Sequence, residues 1–326
     1  MENFFLRLDT FLQKHISRKK FLKICFGGLI AFISQNVLLK LAFAKTPPSN
    51  GRPKSNIKGN YDLVLTEGTD PYKNTVEAVK AMGGMERFVK KGSTVFIKPN
   101  ISWDRTPAQA ATTDPQVVVA LVDLCYKAGA KRVNIADNTC NEARRCYQNS
   151  GIPKAAKEKG AYVYFPDEWN VVKAHFAYKS PMEGWPIFKD AVECDTFINV
   201  PVLKHHGLTG LTLSMKNLMG ICSGRRGLIH VDISRKLADL TDFIHPDLTV
   251  IDATRVLLRH GPSGGNLEDV VTMNKLIAAT DPTLADAYAC TLVDKDPMSI
   301  GYIRSAVKHN YGSADIEKAN IKKLKI

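Results

Sequence analysis

From Tyr61 onward, short apolar runs alternate with longer segments whose apolar residues recur at helical spacing. The runs at 62–66, 94–100, 132–138, 161–165, 195–200, 248–252 and 274–279 read as strands. Between the first two, the pattern predicts a helix over 75–91. A second helix starts at "TTDPQVVVALVDLC": Thr113 or Asp114 caps it, Pro115 fits its first turn and Gly129 closes it. Strands alternating with helices of this length imply an α/β fold, a mainly parallel sheet flanked by helices, with room for a smaller subdomain around 139–190. Thr-Asp-Pro opens a helical pattern again in "AATDPTLADAYACTLV" (278–293), and shared capping chemistry explains the likeness better than internal duplication.

In such sheets, ligands bind beyond the carboxyl ends of the strands, so the residues delivered there carry the chemistry. The run at 94–98 ends in Lys98-Pro99-Asn100, and that at 132–136 in Asp137-Asn138. The run at 195–200 leads to Lys204-His205-His206, and that at 248–252 ends in Asp252. A loop with Gly261, Gly264 and Gly265 follows and could offer backbone amides to an anion. Taken singly, each is more often a cap or turn residue; their shared edge is what marks a site. Neighbours on a strand point to opposite faces, so His205 and His206 have different surroundings. Downstream, Leu211, Met215, Leu218 and Met219 are spaced as one apolar face. Lys216 and Asn217 fall between them, and Gly220 ends a short helical return to the same edge.

Composition adds bounds. The chain has 326 residues and a formal charge of +13, of which residues 1–44 supply +5 and the remainder +8. That balance favours an anionic ligand, and no nucleic-acid motif accompanies it. No two cysteines form a CxxC pair, which excludes a ferredoxin-type iron–sulfur motif and a zinc ribbon. Cys140 and Cys146 read either as two thiols or as a small disulfide loop. GxxxxGK[ST], GxGxxG, GxSxG and HExxH are all absent, against nucleotide hydrolases, dinucleotide dehydrogenases, serine esterases and zincins.

The first 44 residues have a basic start, a broken apolar middle and Ala42-Phe43-Ala44, the layout of an export signal cleaved after Ala44 or of an uncleaved membrane anchor. Ser17-Arg18-Lys19-Lys20-Phe21-Leu22-Lys23 resembles the twin-arginine translocation motif, with Lys19 in place of the second arginine. The export machinery is thus an expected partner, and the periplasm or the outer face of the cytoplasmic membrane the expected location. Residues 45–60 read as a flexible linker, 61–310 as the α/β domain and 311–326 as a basic tail.

"IKPNISW", "TTDPQVVVALVDLCYKAGAKRVNIADN", "FINVPVLKHHGLTGLTLSMKNLMG" and "DLTVIDATRVLLRHGPSGGNLEDV", in that order, resemble the domain of unknown function (DUF) 362 proteins. The resemblance implies an α/β domain, sometimes exported behind a twin-arginine signal, with no agreed reaction. Some relatives carry an added ferredoxin-like module whose cysteine runs this sequence lacks. On matching positions, Lys98, Asn100, Asp137, Lys204, His206, Lys216, Asn217 and Asp252 look like the family's polar signature. The expected function is an enzyme for a small anionic substrate. Lys204, His206, Lys216 and Asp137 would be catalytic, with Lys98, Asn100, Asn217, Gly261, Gly264 and Gly265 holding the ligand. A divalent metal on His206, His230 and Asp252 is a further option. The alternative is a non-catalytic ligand-binding or cofactor-maturation protein.

Overall fold

The computed structural model describes residues 48–57 and 59–326; the expected export signal or anchor over 1–44, with its twin-arginine-like motif, lies outside them. Along the chain run β1 (Pro48–Ser49), β2 (Leu63–Glu67), α1 (Pro71–Ala81), β3 (Thr94–Pro99), α2 (Pro115–Lys127), β4 (Arg132–Ile135), α3 (Ala143–Ser150) and α4 (Ile152–Glu158). Then come β5 (Tyr162–Val163), β6 (Val171–Ala174), β7 (Pro186–Phe188), α5 (Lys189–Glu193), β8 (Thr196–Val200), β9 (Val202–His206), β10 (Gly210–Thr212) and α6 (Ser214–Asn217). The last elements are α7 (Ile233–Ile244), β11 (Leu248–Leu257), β12 (Val270–Ala279), α8 (Pro282–Thr291), α9 (Gly301–Lys308) and β13 (Ile321–Lys325).

The main sheet has the order β13-β2-β12-β11-β8-β3-β4-β5, with β9 added on β11 and β10 on β9. Its centre, from β11 through β8, β3 and β4 to β5, is parallel; β12 runs against both of its neighbours. The fold is therefore the expected α/β arrangement of a mainly parallel sheet flanked by helices. Alternation along β3 shows how the strands serve two layers. Val95 and Ile97 join the core shared with Val79 of α1 and Val118 and Leu121 of α2, while Phe96 stacks on Phe197 of β8. Burying each such side chain stabilises the domain by about 1.5–3 kcal/mol.

Local chemistry sets the helix starts. Asp114 accepts from the Gln116 amide ahead of Pro115, and Asp281 accepts from the Thr283 and Leu284 amides ahead of Pro282. The paired Thr-Asp-Pro motifs are thus two copies of one capping device. The helix expected over 75–91 is shorter and earlier. Asp70 caps it at Pro71, and Gly83 and Gly84, both at positive φ, end it before a 3-10 turn at Met85–Arg87.

Other departures come from long-range pairing. Within the segment read as a linker, Pro48–Ser49 pairs with β6, and buried Arg52 meets Asp247 at 2.6 Å. Together β1, β6 and β7 form a small separate sheet, which occupies part of the expected subdomain region. The basic tail supplies β13, an edge strand parallel to β2. Lys204, His205 and His206 do not prolong β8: Pro201 intervenes, and they form β9, paired with β11 and folded back on β10. The return "SMKN" is helical, as expected.

Candidate functional site

Lys98 ends β3 on the face opposite Ile97 and is fully buried. Its Nζ donates to the Pro99 carbonyl at 2.8 Å and to Asn217 Oδ1 at 2.9 Å, and pairs with Asp137 Oδ1 at 2.7 Å. Those acceptors occupy every hydrogen of its ammonium form. Burial pulls Lys98 below the ordinary lysine range while Asp137 opposes that pull. Asp137 Oδ2 in turn accepts from the Ile101 amide at 2.6 Å. Gly220 closes the pair from above: a Cβ there would fall 1.8 Å from Asp137 Oδ1 and 2.7 Å from Lys98 Nζ. Close approach, rather than helix termination alone, demands glycine here.

Asn217 ties the ends of β3 and β8 together. Its Nδ2 donates to the Lys98 carbonyl at 3.1 Å and to Asn199 Oδ1 at 2.9 Å, and its Oδ1 accepts from Asn100 Nδ2 at 2.9 Å. Asn100 Oδ1 then accepts from Lys204 Nζ at 3.1 Å, and Lys204 also donates to the Ala111 carbonyl at 2.5 Å. Asp286 of α8 fixes the turn beneath by accepting from the amides of Ser214 at 2.7 Å and Met215 at 3.1 Å. Burial raises that carboxyl to about 7.

A cavity of about 360 Å³ opens over this network. Lys204, Lys216, His206, Arg226, Cys140 and Trp103 line it, with Asn100, Ser102, Thr212, Asn217, Met219, Gly220, Gly227, His230 and Pro262, and no acidic side chain among them. Among the described residues, Lys216 Nζ meets only the Met219 sulfur, at 3.0 Å. Burial lowers the Lys204 amine to about 7; the charge of Lys216 adds to this, against a contribution from Cys140. Lys216 falls to about 8, again chiefly through burial, with Arg226 and Lys98 adding repulsion. Arg226 is clamped by the carbonyls of Asn138 and Thr139, and its Nη2 lies 3.4 Å from Cys140 Sγ. Thr212 Oγ1, at the cavity wall, is buried without a hydrogen-bond partner.

His206 and His205 part company as adjacent strand residues should. His206 Nδ1 accepts from the amides of Leu208 at 3.1 Å and Thr209 at 3.3 Å, so the neutral ring carries its proton on Nε2. Burial first, then the charges of Lys216 and Lys204, lowers it to about 3. His205 does not line the cavity and instead accepts from the Gly261 amide at 3.1 Å.

A family model described as "Domain of unknown function (DUF362)" matches residues 95–291, which contain the whole cavity lining. The chain belongs to the DUF362 family. Over 239 residues, 68% of this DUF362 chain and 70% of its relative, it is 27% identical to a thylakoid-associated protein of Synechocystis sp.. Among solved structures it is similar to the lactate racemase apoprotein of Thermoanaerobacterium thermosaccharolyticum, with 14% identity and a TM-score of 0.46 over 76% of this chain. A Thermotoga maritima protein gives 12% and 0.42 over 71%. The chain spans about three fifths of the length of each, 61% and 60%.

The other expected site residues of the DUF362 chain lie elsewhere. Asp252 is outside the cavity lining. It accepts from the Asp114 amide at 2.7 Å and from Thr254, holding the start of α2, and burial raises it to about 6. His230 is exposed at the rim, its Nδ1 3.0 Å from the Gly227 carbonyl. His206, His230 and Asp252 therefore form no metal set, and among the described residues no cluster of three His, Cys, Asp or Glu could hold a metal. The glycine loop is no anion cradle at Gly261 and Gly264, whose amides are spent on His205 Nδ1 and the His260 carbonyl. Arg105 and Gln109 hold its carbonyls at Gly264 and Gly265. Cys140 and Cys146 are free thiols, the first exposed and the second buried.

Ser102, Trp103, Cys140, Thr212 and Arg226 are cavity residues that pattern reading passed over. They sit in loops after β3 and β4, on β10 and in the 3-10 turn at Arg226–His230. For Ser102, Trp103 and Cys140 the one visible signal is position, shortly after strand ends already marked by lysine and aspartate; Thr212 and Arg226 carry none.

Proposed function

We propose that this DUF362 chain is an enzyme acting on a small anionic substrate in the cavity over β3, β9 and α6. The observation that carries the reading is the placement of Lys216. Its amine lines a ligand-sized cavity, titrates near neutrality and has no oxygen partner among the described residues. Lys204, Lys216 and Arg226 supply positive charge with no acid beside them in the lining, which favours an anion. A lysine titrating near pH 7 or 8 can both give and take a proton at neutral pH, as general acid–base catalysis requires. His206 has the complementary part. Neutral and with Nδ1 engaged, it offers Nε2–H to a substrate oxygen, and the proton traffic passes to the lysines. Lys98 and Asp137 hold the floor.

Export or membrane attachment belongs to the same proposal, supported by the basic and apolar layout of residues 1–44 and by a relative whose name places it at a membrane.

The test is a ligand screen by thermal shift, using phosphate, pyruvate and lactate on the full chain and on Lys216→Met. The proposal expects at least one anion to raise the melting temperature of the parent and to lose that effect in the variant. Equal responses in both proteins would remove Lys216 from the site.

A further inference from the structure

The three lysines at this edge form a graded series. Lys98 Nζ meets three oxygens, Lys204 Nζ meets two, and Lys216 Nζ meets none. The first two amines are tethered by the protein's own acceptors. Among the described residues Lys216 Nζ touches only a thioether, a weak acceptor, so no protein oxygen holds its amine. The same cavity is lined by His206, with Nδ1 engaged and the ring proton on Nε2, and by Thr212, whose buried hydroxyl has no partner among the described residues. Trp103, Met219 and Pro262 give the cavity an apolar wall.

We infer that Lys216 is an imine-forming nucleophile and that the substrate class is the small 2-oxo acids, in which a reactive carbonyl adjoins a carboxylate. The inference rests on the anionic-substrate reading above and adds the covalent step. The carboxylate answers the cationic lining of Lys204 and Arg226, and the carbonyl answers the untethered amine. A short alkyl group would lie against Trp103 and Met219. In the step itself the Lys216 Nζ lone pair attacks the carbonyl carbon and forms the C–N bond. The carbonyl π pair moves to oxygen, where His206 Nε2–H hydrogen-bonds to it. Both amine hydrogens leave with that oxygen as water, and the neutral imine takes up one proton to become the iminium, an electron sink.

The amine's protonation supports the assignment. At pH 7 a group titrating near 8 is neutral in about one molecule in ten, against about one in three thousand for an ordinary lysine at 10.5. The charges of Arg226 and Lys98 disfavour the ammonium form, and Cys140 opposes them.

The experiment incubates the full chain with pyruvate and sodium cyanoborohydride, then maps modified peptides by mass spectrometry, alongside a thermal shift with pyruvate alone. The expected result is a mass gain of pyruvic acid less one oxygen on Lys216, labelled roughly tenfold more than any other lysine. The adduct should vanish in Lys216→Arg, a variant whose unaltered melting temperature confirms its fold. A pyruvate-induced shift with no adduct on Lys216 overturns the imine while leaving the anion site standing. An adduct favouring Lys204 overturns the choice of residue. Neither shift nor adduct with pyruvate overturns the 2-oxo acid assignment, and the anion site falls with it only if phosphate and lactate also leave the melting temperature unchanged.

Discussion

Gly220 lies against Asp137 so closely that a Cβ on the glycine would sit 1.8 Å from the carboxylate oxygen. That oxygen is also the partner of Lys98, so one small residue on the return from α6 seals the buried ion pair beneath the cavity. Gly220→Ala should therefore push Asp137 off Lys98. Overpacking of this kind costs about 1–3 kcal/mol, and urea denaturation should show it as an earlier midpoint at unchanged slope.

The ion pair itself should behave as a unit. Lys98→Met alone leaves Asp137 buried and uncompensated, a loss of about 3–5 kcal/mol. Asp137→Asn removes the charge but keeps an acceptor near Lys98. In the double variant the two losses should fall short of their sum by about 1–3 kcal/mol, measured as a thermodynamic cycle. Strict additivity would mean the two side chains do not interact.

Lys204 predicts a stability that rises with pH on the alkaline side. Its folded pKa of about 7 lies below the ordinary 10.5. Between those values the unfolded chain holds a proton that the folded chain does not, so raising the pH favours folding. The destabilisation is full below pH 7 and is relieved as the pH climbs toward 10.5. Lys204→Met should flatten the slope of unfolding free energy against pH by about one kcal/mol per pH unit in that window. An unchanged slope would place the Lys204 amine in water.

Asp252 should matter to the fold and leave ligand binding alone. It anchors the first turn of α2 through the Asp114 amide and takes two bonds from Thr254. Asp252→Ala leaves those donors unsatisfied, at about 1–3 kcal/mol, visible as a lower melting temperature. Any anion-induced thermal shift should keep its midpoint concentration. A large change there would return Asp252 to the site.

How much of this could be read from the chain depends on distance along it. Strand periodicity and the rule that ligands gather at carboxyl ends were enough to mark Lys98, Asn100, Asp137, Lys204, Lys216 and Asn217; the structure joins all but Lys216 in one network and sets Lys216 in the lining of the cavity above it. Asp252 looked equivalent because it too ends an apolar run, yet its carboxylate turns to the neighbouring helix start. Nothing in local pattern separates a capping aspartate from a pocket aspartate. Arg226 and Cys140 lie 86 residues apart and meet through loops whose course no periodicity records. Gly220 is legible as a turn residue, whereas its contact with Asp137 needs the packed structure. Pro48–Ser49, within the expected linker, and Ile321–Lys325, within the expected tail, escape notice for the same reason, since polar composition hides strands that pair with distant partners.

Everything proposed for the cavity depends on two amines held near neutrality. NMR titration of the full chain carrying carbon-13 at lysine Cε observes them directly. Two Cε resonances should titrate near pH 7 and pH 8, each lost in turn from Lys204→Met and Lys216→Met. If every lysine resonance titrates above about pH 10, as for solvent-exposed amines, the cavity holds ordinary ammonium groups and the catalytic reading falls.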